Sequence, residues 1–130
     1  MRILACDGIH EDGLETFRAA GWTVAVSDPI KDPAALKAAL KDADVLLVRS
    51  ATKVPAEALE GAERLKVIGR AGAGVDTIDV DAATERGIAV MNAPDGNTLA
   101  AAEHALALLF ALARHIPSAD AGMKAGEWPK

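Results

Sequence analysis

The sequence has one cysteine, no tyrosine and few aromatic residues, which make up 3% of its 130 residues. The single cysteine, Cys6, cannot form a disulfide within the chain, so packing must stabilise the fold. A chain that is 51% hydrophobic and this long can bury a sizeable core, which we expect to consist mainly of Ala, Val, Leu and Ile. Cys6 lies in the first apolar run, where a buried structural thiol is expected and a nucleophile is not.

Basic residues are also in the minority. Fourteen Lys and Arg stand against nineteen Asp and Glu, which gives a net charge of −5. Nucleic acids and acidic membranes need clustered positive charge, so neither is expected as a partner. The N-terminal segment 1–8 is interrupted by charge too early for a secretion signal, and we expect a cytoplasmic protein. The apolar run 105–113 is far shorter than the roughly 20 residues that cross a bilayer.

Common catalytic and metal-binding patterns are missing. The histidines His10, His104 and His115 lack close spacing with Cys, Asp or Glu, so no metal site is expected. The sequence contains no Ser-His-Asp arrangement, nucleophile elbow or phosphate-binding P-loop. A phosphoacceptor signalling domain would need an acidic residue after the third strand, where Arg49 stands.

Short apolar runs alternate with segments of helical spacing. Strands are predicted over 2–6, 22–26, 44–48, 67–68 and 88–91, and helices over 11–20, 34–40, 55–59, a segment between the last two strands, and 99–116. This alternation predicts a doubly wound α/β domain with a flavodoxin-like, five-stranded parallel sheet of order 2-1-3-4-5 and flanking helices. We place that domain at residues 1–98, and a long apolar helix with a polar tail at 99–130.

In such a sheet, ligands bind beyond the carboxyl ends of the strands. Here the ends are followed by Asp7-Gly8, Arg49-Ser50, Arg70 to Gly74, and Asn92 to Pro94. A glycine-rich turn offers bare N–H groups, and arginine binds carboxylate or phosphate in a bidentate manner, so this edge suits a small anion. Two alternatives stay open: the arginines pair with acidic neighbours such as Asp7, Asp76 or Asp95, and the glycines form only a tight turn.

The glycine cluster fails the dinucleotide fingerprint G-x-G-x-x-G. Gly72 and Gly74 occupy the first and third positions, but the sixth is Thr77 and an acidic residue, Asp76, falls inside the motif. The sequence therefore does not predict a nucleotide pyrophosphate site at this loop.

The predicted helix 99–116 is apolar on nearly every side. Its polar residues Glu103, His104, Arg114 and His115 fall on one narrow stripe. Such a helix must be buried nearly all round, and a five-stranded domain covers only one side of it. We expect the other side to meet a second domain or a second chain.

Four segments resemble the D-isomer-specific 2-hydroxyacid dehydrogenases, and within them the phosphoglycerate dehydrogenase branch. They are RSATKV (49–54), GRAGAGVDTIDVDAATERGIAVMNAP (69–94), DGNTLAAAEHALALLFALAR (95–114) and MKAGEW (123–128). They cover essentially the whole chain in the family's order. The resemblance implies the N-terminal, substrate-binding part of an NAD-dependent oxidoreductase of serine biosynthesis, acting on a small phosphorylated 2-hydroxy acid such as 3-phosphoglycerate.

The resemblance also implies roles for particular residues. Ala73 would face the cofactor, and the substrate-binding residues would be Arg49, Ser50, Arg70, Gly72, Gly74 and Asn92. The sequence departs from the family at Thr77, where Asn is common, and at Ala73, where some members have Thr and its hydroxyl. Helix 99–116 would form a homodimer, as it does in the family.

The family's cofactor domain, with its G-x-G-x-x-G and the catalytic Arg, Glu and His, follows the segment that matches 127–130. None of these residues is present, so we expect this chain to bind no NAD and to be inactive alone. A second interpretation stays open: a stand-alone flavodoxin-like structural or interaction module, or an engineered folding fragment, without a ligand. The two differ over whether Arg49, Arg70 and the Gly72 loop keep affinity for anions.

Overall fold

Five parallel strands form one sheet in the computed structural model, which describes residues 1–128. The strands are β1 (Arg2–Ala5), β2 (Thr23–Val26), β3 (Val45–Val48), β4 (Val67–Arg70) and β5 (Ala89–Asn92). Their order is β2-β1-β3-β4-β5, with every neighbouring pair parallel. The predicted order and flavodoxin-like fold are therefore confirmed. The chain reverses its direction of winding between β1 and β3, so the ligand crevice of this fold lies beyond those strand ends.

Within residues 1–128, five α-helices and one short 3-10 helix connect and follow the strands. They are α1 (Glu11–Ala19), α2 (Pro33–Leu40), the 3-10 helix Ala56–Leu59, α3 (Val80–Glu85), α4 (Thr98–Ala113) and α5 (Ile116–Lys124). Side chains cap the first three α-helices: His10, Asp32 and Asp79 each accept an N–H from the first turn that follows. These caps fix where the chain leaves the strand ends and enters each helix.

The predicted helix over 55–59 is a four-residue 3-10 turn. It begins at Ala56, and its end is set by Glu60, which is extended, and by Gly61, whose φ is 76°. Glycine adopts that left-handed conformation without steric cost, so the chain turns directly toward β4.

The predicted helix 99–116 is wrong at its C-terminal end. The helix α4 stops at Ala113, His115 is left-handed with φ 52°, and a second helix begins at Ile116. Pro117 lies in the first turn of α5, where its missing N–H has no helical partner to lose. The expected polar tail is thus helical to Lys124, and its last two residues, 129 and 130, lie outside the described residues.

The polar stripe predicted along that helix is broken by the same change. Glu103 and His104 lie on α4, whereas Arg114 is its C-terminal cap and His115 precedes α5. A stripe that needs 11 residues of continuous helix therefore does not form.

The main core lies between one face of the sheet and the elements α2, the 3-10 helix and α3. Side chains that alternate along the strands face it, as expected for extended chain. Those strand residues and their helical partners are all buried, among them Leu4, Cys6, Leu46, Val48, Ile68, Leu36, Leu40, Leu59, Ala82 and Ala83. This packing holds the ends of the strands in place and so fixes the points from which the loops beyond them begin.

The opposite face of the sheet is covered over β1 but open toward β5. Ile3, Ala5 and Leu14 are buried, with α1 supplying Leu14. Beyond them a groove of about 490 Å³ runs over Leu47, Val67, Gly69 and Met91, and the stacked rings of Phe17 and Trp22 form its other wall. Met91 remains 61% exposed, so the described residues leave this apolar face partly uncovered.

The chain divides into two compact units, Met1–Gly96 and a second that begins at Asn97. The second unit consists of α4 and α5, and none of its helical residues is buried by the described chain. Leu108, Phe110 and Leu112 are 57%, 60% and 76% exposed. The expectation that a second domain or chain covers this helix stays a prediction.

Among the described helices, none is by itself long and apolar enough to cross a membrane. The pair of α4 and α5 reaches the required length and composition only together, across a bend of 63°.

Candidate anion-binding site

Asp7 anchors the loop that follows β3. It lies directly beyond β1, and its carboxylate accepts the backbone N–H of Arg49 at 2.9 Å, the N–H of Thr52 at 3.0 Å and the Thr52 hydroxyl at 2.5 Å. The Thr52 hydroxyl also accepts the N–H of Ile30 at 3.1 Å. One aspartate thus joins the strand ends on both sides of the point where the sheet reverses its winding.

Hydrogen bonding keeps Asp7 ionised. Its partial burial would raise the pKa of the carboxyl, but the Thr52 hydroxyl and amide, followed by the N–H groups of Arg49 and Ala51, hold that pKa below its ordinary value. The sequence singled out Asp7 as the residue after β1 and as a possible arginine partner. Its part in the 49–52 loop was missed, because the two residues that it binds lie 42 and 45 positions away.

The guanidinium of Arg49 has no partner among residues 1–128. The backbone N–H of Arg49 binds Asp7, but the side chain forms no hydrogen bond or ion pair there. The alternative that Asp7 neutralises this arginine is therefore wrong. Arg49 and the neighbouring Ser50 are both exposed. An exposed and unpaired guanidinium immediately beyond a buried strand is available to an anion.

Most of the Arg70 guanidinium is bonded to other groups of the chain. Its side chain is only 11% exposed, with Nε donating to the carbonyl of Arg49 at 3.1 Å and Nη1 donating to the carbonyl of Gly74 at 2.5 Å. Nη1 also lies 3.3 Å from the carboxylate of Asp76. The alternative of an acidic partner is thus correct for Arg70. Nη2 is the one guanidinium nitrogen of Arg70 to which residues 1–128 give no hydrogen-bond partner.

The glycine-rich segment that follows β4, residues 71–75, is called the glycine loop below. Three of its successive carbonyls accept hydrogen bonds from residues of β4 and from the end of β5. The carbonyl of Gly72 accepts Ala93 N–H at 3.0 Å, that of Ala73 accepts Asn92 Nδ2 at 2.6 Å, and that of Gly74 accepts Arg70 Nη1. In a planar trans peptide, the N–H of the next residue points away from the carbonyl. The N–H groups of Ala73, Gly74 and Val75 are consequently directed outward, and none has an acceptor within the described chain.

The two glycines that the sequence singled out differ in what they can offer. The N–H of Gly72 donates to the carbonyl of Arg70 at 2.9 Å, so it is occupied while this turn persists, whereas that of Gly74 is open. A Cβ at Gly72 would lie 3.4 Å from Arg70 Nη1, and one at Gly74 would lie 2.9 Å from the Asp76 carboxylate. Both glycines thus leave room for the side chains that shape the loop.

The loops after β3, β4 and β5 are tied together. Arg70 and Asn92 are register partners at the ends of β4 and β5, so the loops that follow these two strands lie side by side. Val54 pairs with Ile78 in an isolated parallel bridge, which joins the β3 loop to the segment after the glycine loop. Asn97 begins the second unit as the cap residue of α4 and makes no side-chain capping bond.

The Arg49 side of the site opens into a cleft of about 440 Å³. Residues from the β1–α1 connection and the first turn of α1 line it, together with one residue from each of two loops: Gly8, Ile9, His10, Gly13, Arg49 and Ala71. His10 is the N-terminal cap of α1, since its ring accepts the N–H of Asp12. No role at this site was predicted for His10 from the sequence. The signal that could have found it is its position three residues beyond Asp7, at the carboxyl edge of β1.

The residues present do not build a binding site for a dinucleotide. The glycine loop lacks the fingerprint, and its Ala73, the expected neighbour of a nicotinamide, has no hydrogen-bonding side chain. The Thr77 hydroxyl is buried and has no partner in residues 1–128. No group of three His, Cys, Asp or Glu residues in that part of the chain is placed to hold a metal ion.

Cys6 lies beneath the site and is inert. It is fully buried, and burial together with the charge of Asp7 raises the pKa of its thiol to about 11, although a hydrogen bond with Thr52 acts in the opposite direction. A thiol with that pKa is not a nucleophile at neutral pH. Its contribution is to the core.

Known proteins share both the sequence and the fold. A family model described as D-isomer specific 2-hydroxyacid dehydrogenase, catalytic domain, matches residues 3–123. The D-3-phosphoglycerate dehydrogenase of Methanocaldococcus jannaschii is 48% identical over 130 residues, which are 100% of this chain and 24% of that protein. The D-3-phosphoglycerate dehydrogenase of Rattus norvegicus is 54% identical over 95 residues, which are 73% of this chain and 18% of the rat protein. The chain thus spans a quarter or less of the length of these relatives.

Solved structures agree with this assignment. A protein of Thermus thermophilus, 34% identical, superposes with a TM-score of 0.84 over 100% of this chain and 42% of its own. The NAD+-bound 3-phosphoglycerate dehydrogenase of Entamoeba histolytica, 32% identical, gives a TM-score of 0.73 over 85% of this chain and 38% of its own. The match over nearly the whole sequence, with the fold in common, means that the chain belongs to the D-isomer-specific 2-hydroxyacid dehydrogenases, as its four resembling segments predicted.

Proposed function

We propose that the carboxyl edge of this sheet binds a small phosphorylated 2-hydroxy acid of the 3-phosphoglycerate type, as the substrate-binding part of an NAD-dependent D-3-phosphoglycerate dehydrogenase. One observation carries the proposal. The N–H groups of Ala73, Gly74 and Val75 are turned outward without acceptors, on a loop that Arg70 ties to the backbone of Arg49. Unpaired donors and an unpaired guanidinium at one strand edge are the features that an anion needs.

The ligand's two charged ends fit two kinds of donor. The guanidinium of Arg49 can bind a carboxylate or phosphate through two parallel hydrogen bonds, with Ser50 beside it as a hydroxyl donor. The outward N–H groups of the glycine loop receive the other anionic end, and Arg70 holds this loop through the carbonyl of Gly74. Asn92 acts on the loop, since its Nδ2 holds the carbonyl of Ala73.

Hydride transfer needs more than this site. In a complete dehydrogenase, NAD would supply the hydride acceptor, and a positioned base would take up the hydroxyl proton. The side chains proposed to bind the anion, Arg49, Ser50 and Arg70, are hydrogen-bond donors and not bases at neutral pH, and Ala73, which is expected to face the nicotinamide, has no polar side chain. The chain alone is therefore inactive. Turnover of 3-phosphoglycerate with NAD by the purified chain would contradict this.

A homodimer through α4 completes the proposal. The helix exposes a set of large apolar side chains, Leu99, Leu106, Leu108, Leu109, Phe110 and Leu112. Covering them in a symmetric pair removes apolar surface from water. Sedimentation at rising concentration should show a monomer–dimer equilibrium that Leu108→Lys weakens and that Val26→Lys, at an exposed position on β2, leaves unchanged. A mass that stays monomeric at every concentration would remove this part of the proposal.

Binding is tested by calorimetric titration of the chain with 3-phosphoglycerate, D-glycerate and inorganic phosphate. We expect 3-phosphoglycerate to bind most tightly, because only it engages both groups of donors. Arg49→Lys keeps the charge but loses bidentate geometry, so it should weaken binding, and Arg49→Ala should weaken it further. No heat with 3-phosphoglycerate at millimolar concentration would favour the alternative of a structural module without a ligand.

A further inference from the structure

We infer that Asp7 is a positioning residue for substrate binding: through the N–H groups of Arg49 and Thr52 it holds the 49–52 loop in the conformation that presents the Arg49 guanidinium to the anion. The inference rests on the proposed function, because it assigns a role in that same site. Asp7 does not touch the ligand in this account. It acts only through the loop that it binds.

Asp7 is hydrogen-bonded to both ends of the 49–52 loop. Oδ2 accepts the N–H of Arg49 at 2.9 Å and the N–H of Thr52 at 3.0 Å, so a single oxygen brackets residues 49–52. Oδ1 accepts the hydroxyl of Thr52, which is fully buried and receives the N–H of Ile30. The loop is therefore fastened to the end of β1 and, through Thr52, to the segment before α2. The N–H and the carbonyl of Arg49 are both hydrogen-bonded, and its side chain has no partner in residues 1–128.

The backbone of Asp7 restricts which residues can do this. Its φ is 64°, in the left-handed region where Asp, Asn and Gly are tolerated and most other residues are strained. Asn keeps an oxygen for the two N–H groups and can turn its amide nitrogen toward the Thr52 hydroxyl, which is able to accept. Gly adopts the same backbone conformation but removes all the bonds. The pair Asp7→Asn and Asp7→Gly thus separates the bonding of the loop from the strain of the turn.

Asp44 supplies a matched control at the other end of the same strands. Its carboxylate accepts the N–H of Arg2 at 2.7 Å and the guanidinium of Arg64 at 3.1 Å, so it also joins β1 to β3 through a backbone amide. It precedes β3, whereas Arg49 follows it, so Asp44 is at the opposite edge of the sheet from the site. Asp44→Ala removes a comparable link without altering the 49–52 loop.

The experiment measures 3-phosphoglycerate affinity and amide hydrogen exchange on the same four proteins, the unsubstituted chain, Asp7→Gly, Asp7→Asn and Asp44→Ala. We expect Asp7→Gly to lose about tenfold or more in affinity and to exchange the amides of Arg49 and Thr52 at least about tenfold faster. Asp7→Asn should retain affinity within about threefold, since its oxygen still accepts both N–H groups. Asp44→Ala should bind as the unsubstituted chain does, even where its thermal midpoint falls.

Each other result overturns the inference in a recognisable way. Equal affinity of Asp7→Gly and the unsubstituted chain would show that the loop needs no anchor, while leaving the proposed function intact. An equal loss in Asp44→Ala would mean that affinity follows general stability and that Asp7 has no special part. Absence of binding by the unsubstituted chain would overturn the proposed function and this inference together, whatever the exchange rates.

Discussion

Asn92 donates from Nδ2 to the carbonyl oxygen of Ala73 at 2.6 Å, which joins the end of β5 to the loop beyond β4. Together with the bond from Ala93 N–H to the carbonyl of Gly72, it turns two loop carbonyls toward β5 and the following N–H groups outward. The resemblance assigned the Asn92 side chain to the ligand, whereas in the structure its amide nitrogen is hydrogen-bonded to the loop and helps to hold the loop's conformation.

Replacing Asn92 by Leu, which is similar in size but cannot donate, should loosen the glycine loop. A hydrogen bond of this kind contributes roughly 0.5–1.5 kcal/mol, so 3-phosphoglycerate affinity should fall by up to about tenfold. The amide of Gly74 should also exchange faster. Asn92→Asp should bind still more weakly, because its carboxylate repels both the Ala73 carbonyl and the anion. If titration calorimetry showed unchanged affinity in both variants, Asn92 would have no part in binding the ligand.

A methyl group at Gly74 tests the link between Arg70 and Asp76. The new Cβ would lie 2.9 Å from the Asp76 carboxylate, which must move and release Arg70 Nη1. Since Asp76 is exposed, the cost in stability should be below about 1 kcal/mol. Asp76→Ala should change the affinity for 3-phosphoglycerate by the same factor as Gly74→Ala. The double variant should then bind as each single variant does. Fully additive losses would mean that Gly74 acts on the ligand directly.

The thiol of Cys6 should be protected from alkylation as long as the chain is folded. It is fully buried and its pKa is about 11, so very little thiolate exists at about pH 8. Labelling by iodoacetamide should therefore be slow in buffer and fast in denaturant, with native labelling following the rate of unfolding. Native labelling as fast as that of a cysteine peptide would contradict the burial of Cys6.

Acid should destabilise the domain through Asp7 and Asp44. Hydrogen bonds from Arg2 N–H and from Arg64 lower the pKa of Asp44, and the bonds around Asp7 lower its pKa despite burial. A lowered folded-state pKa gives stability that is present above the ordinary aspartate value of 3.8 and is lost as pH falls through the lower folded values. Urea unfolding between about pH 5 and pH 2 should show this loss, and Asp44→Asn should make it shallower. An equally steep loss in Asp44→Asn would exclude Asp44 as a source.

Much of the fold was open to prediction from the sequence because its signals are local. Short apolar runs marked the strands, and their alternation with helices predicted the sheet order. That order in turn brought the loops carrying Arg70 and Asn92 together. The helix end near Ala113 was misjudged because Pro117 is compatible both with ending one helix and with starting the next. The left-handed His115 that decides between them has no sequence signal of its own.

The candidate site was harder to predict from the sequence, because its contacts join residues that are far apart along the chain. Nothing near Asp7 in the sequence indicates that it binds Thr52, and nothing near Arg70 indicates that the carbonyl of Arg49 receives its Nε. The resemblance pointed to these loops and assigned Arg70, Gly72 and Asn92 to the ligand alike. The structure adds that Arg70 and Asn92 hold the loop and that Gly72 uses its own N–H internally.

The most direct test of the account is a titration of the chain with 3-phosphoglycerate followed by backbone amide NMR. We predict saturable shifts of the Ala73, Gly74 and Val75 N–H resonances, with little change at Gly72, whose N–H is already bonded. Arg49→Ala should weaken or abolish these shifts while the spectrum stays folded. Resonances of the glycine loop that do not move up to millimolar ligand would contradict the claim that this edge of the sheet binds the substrate.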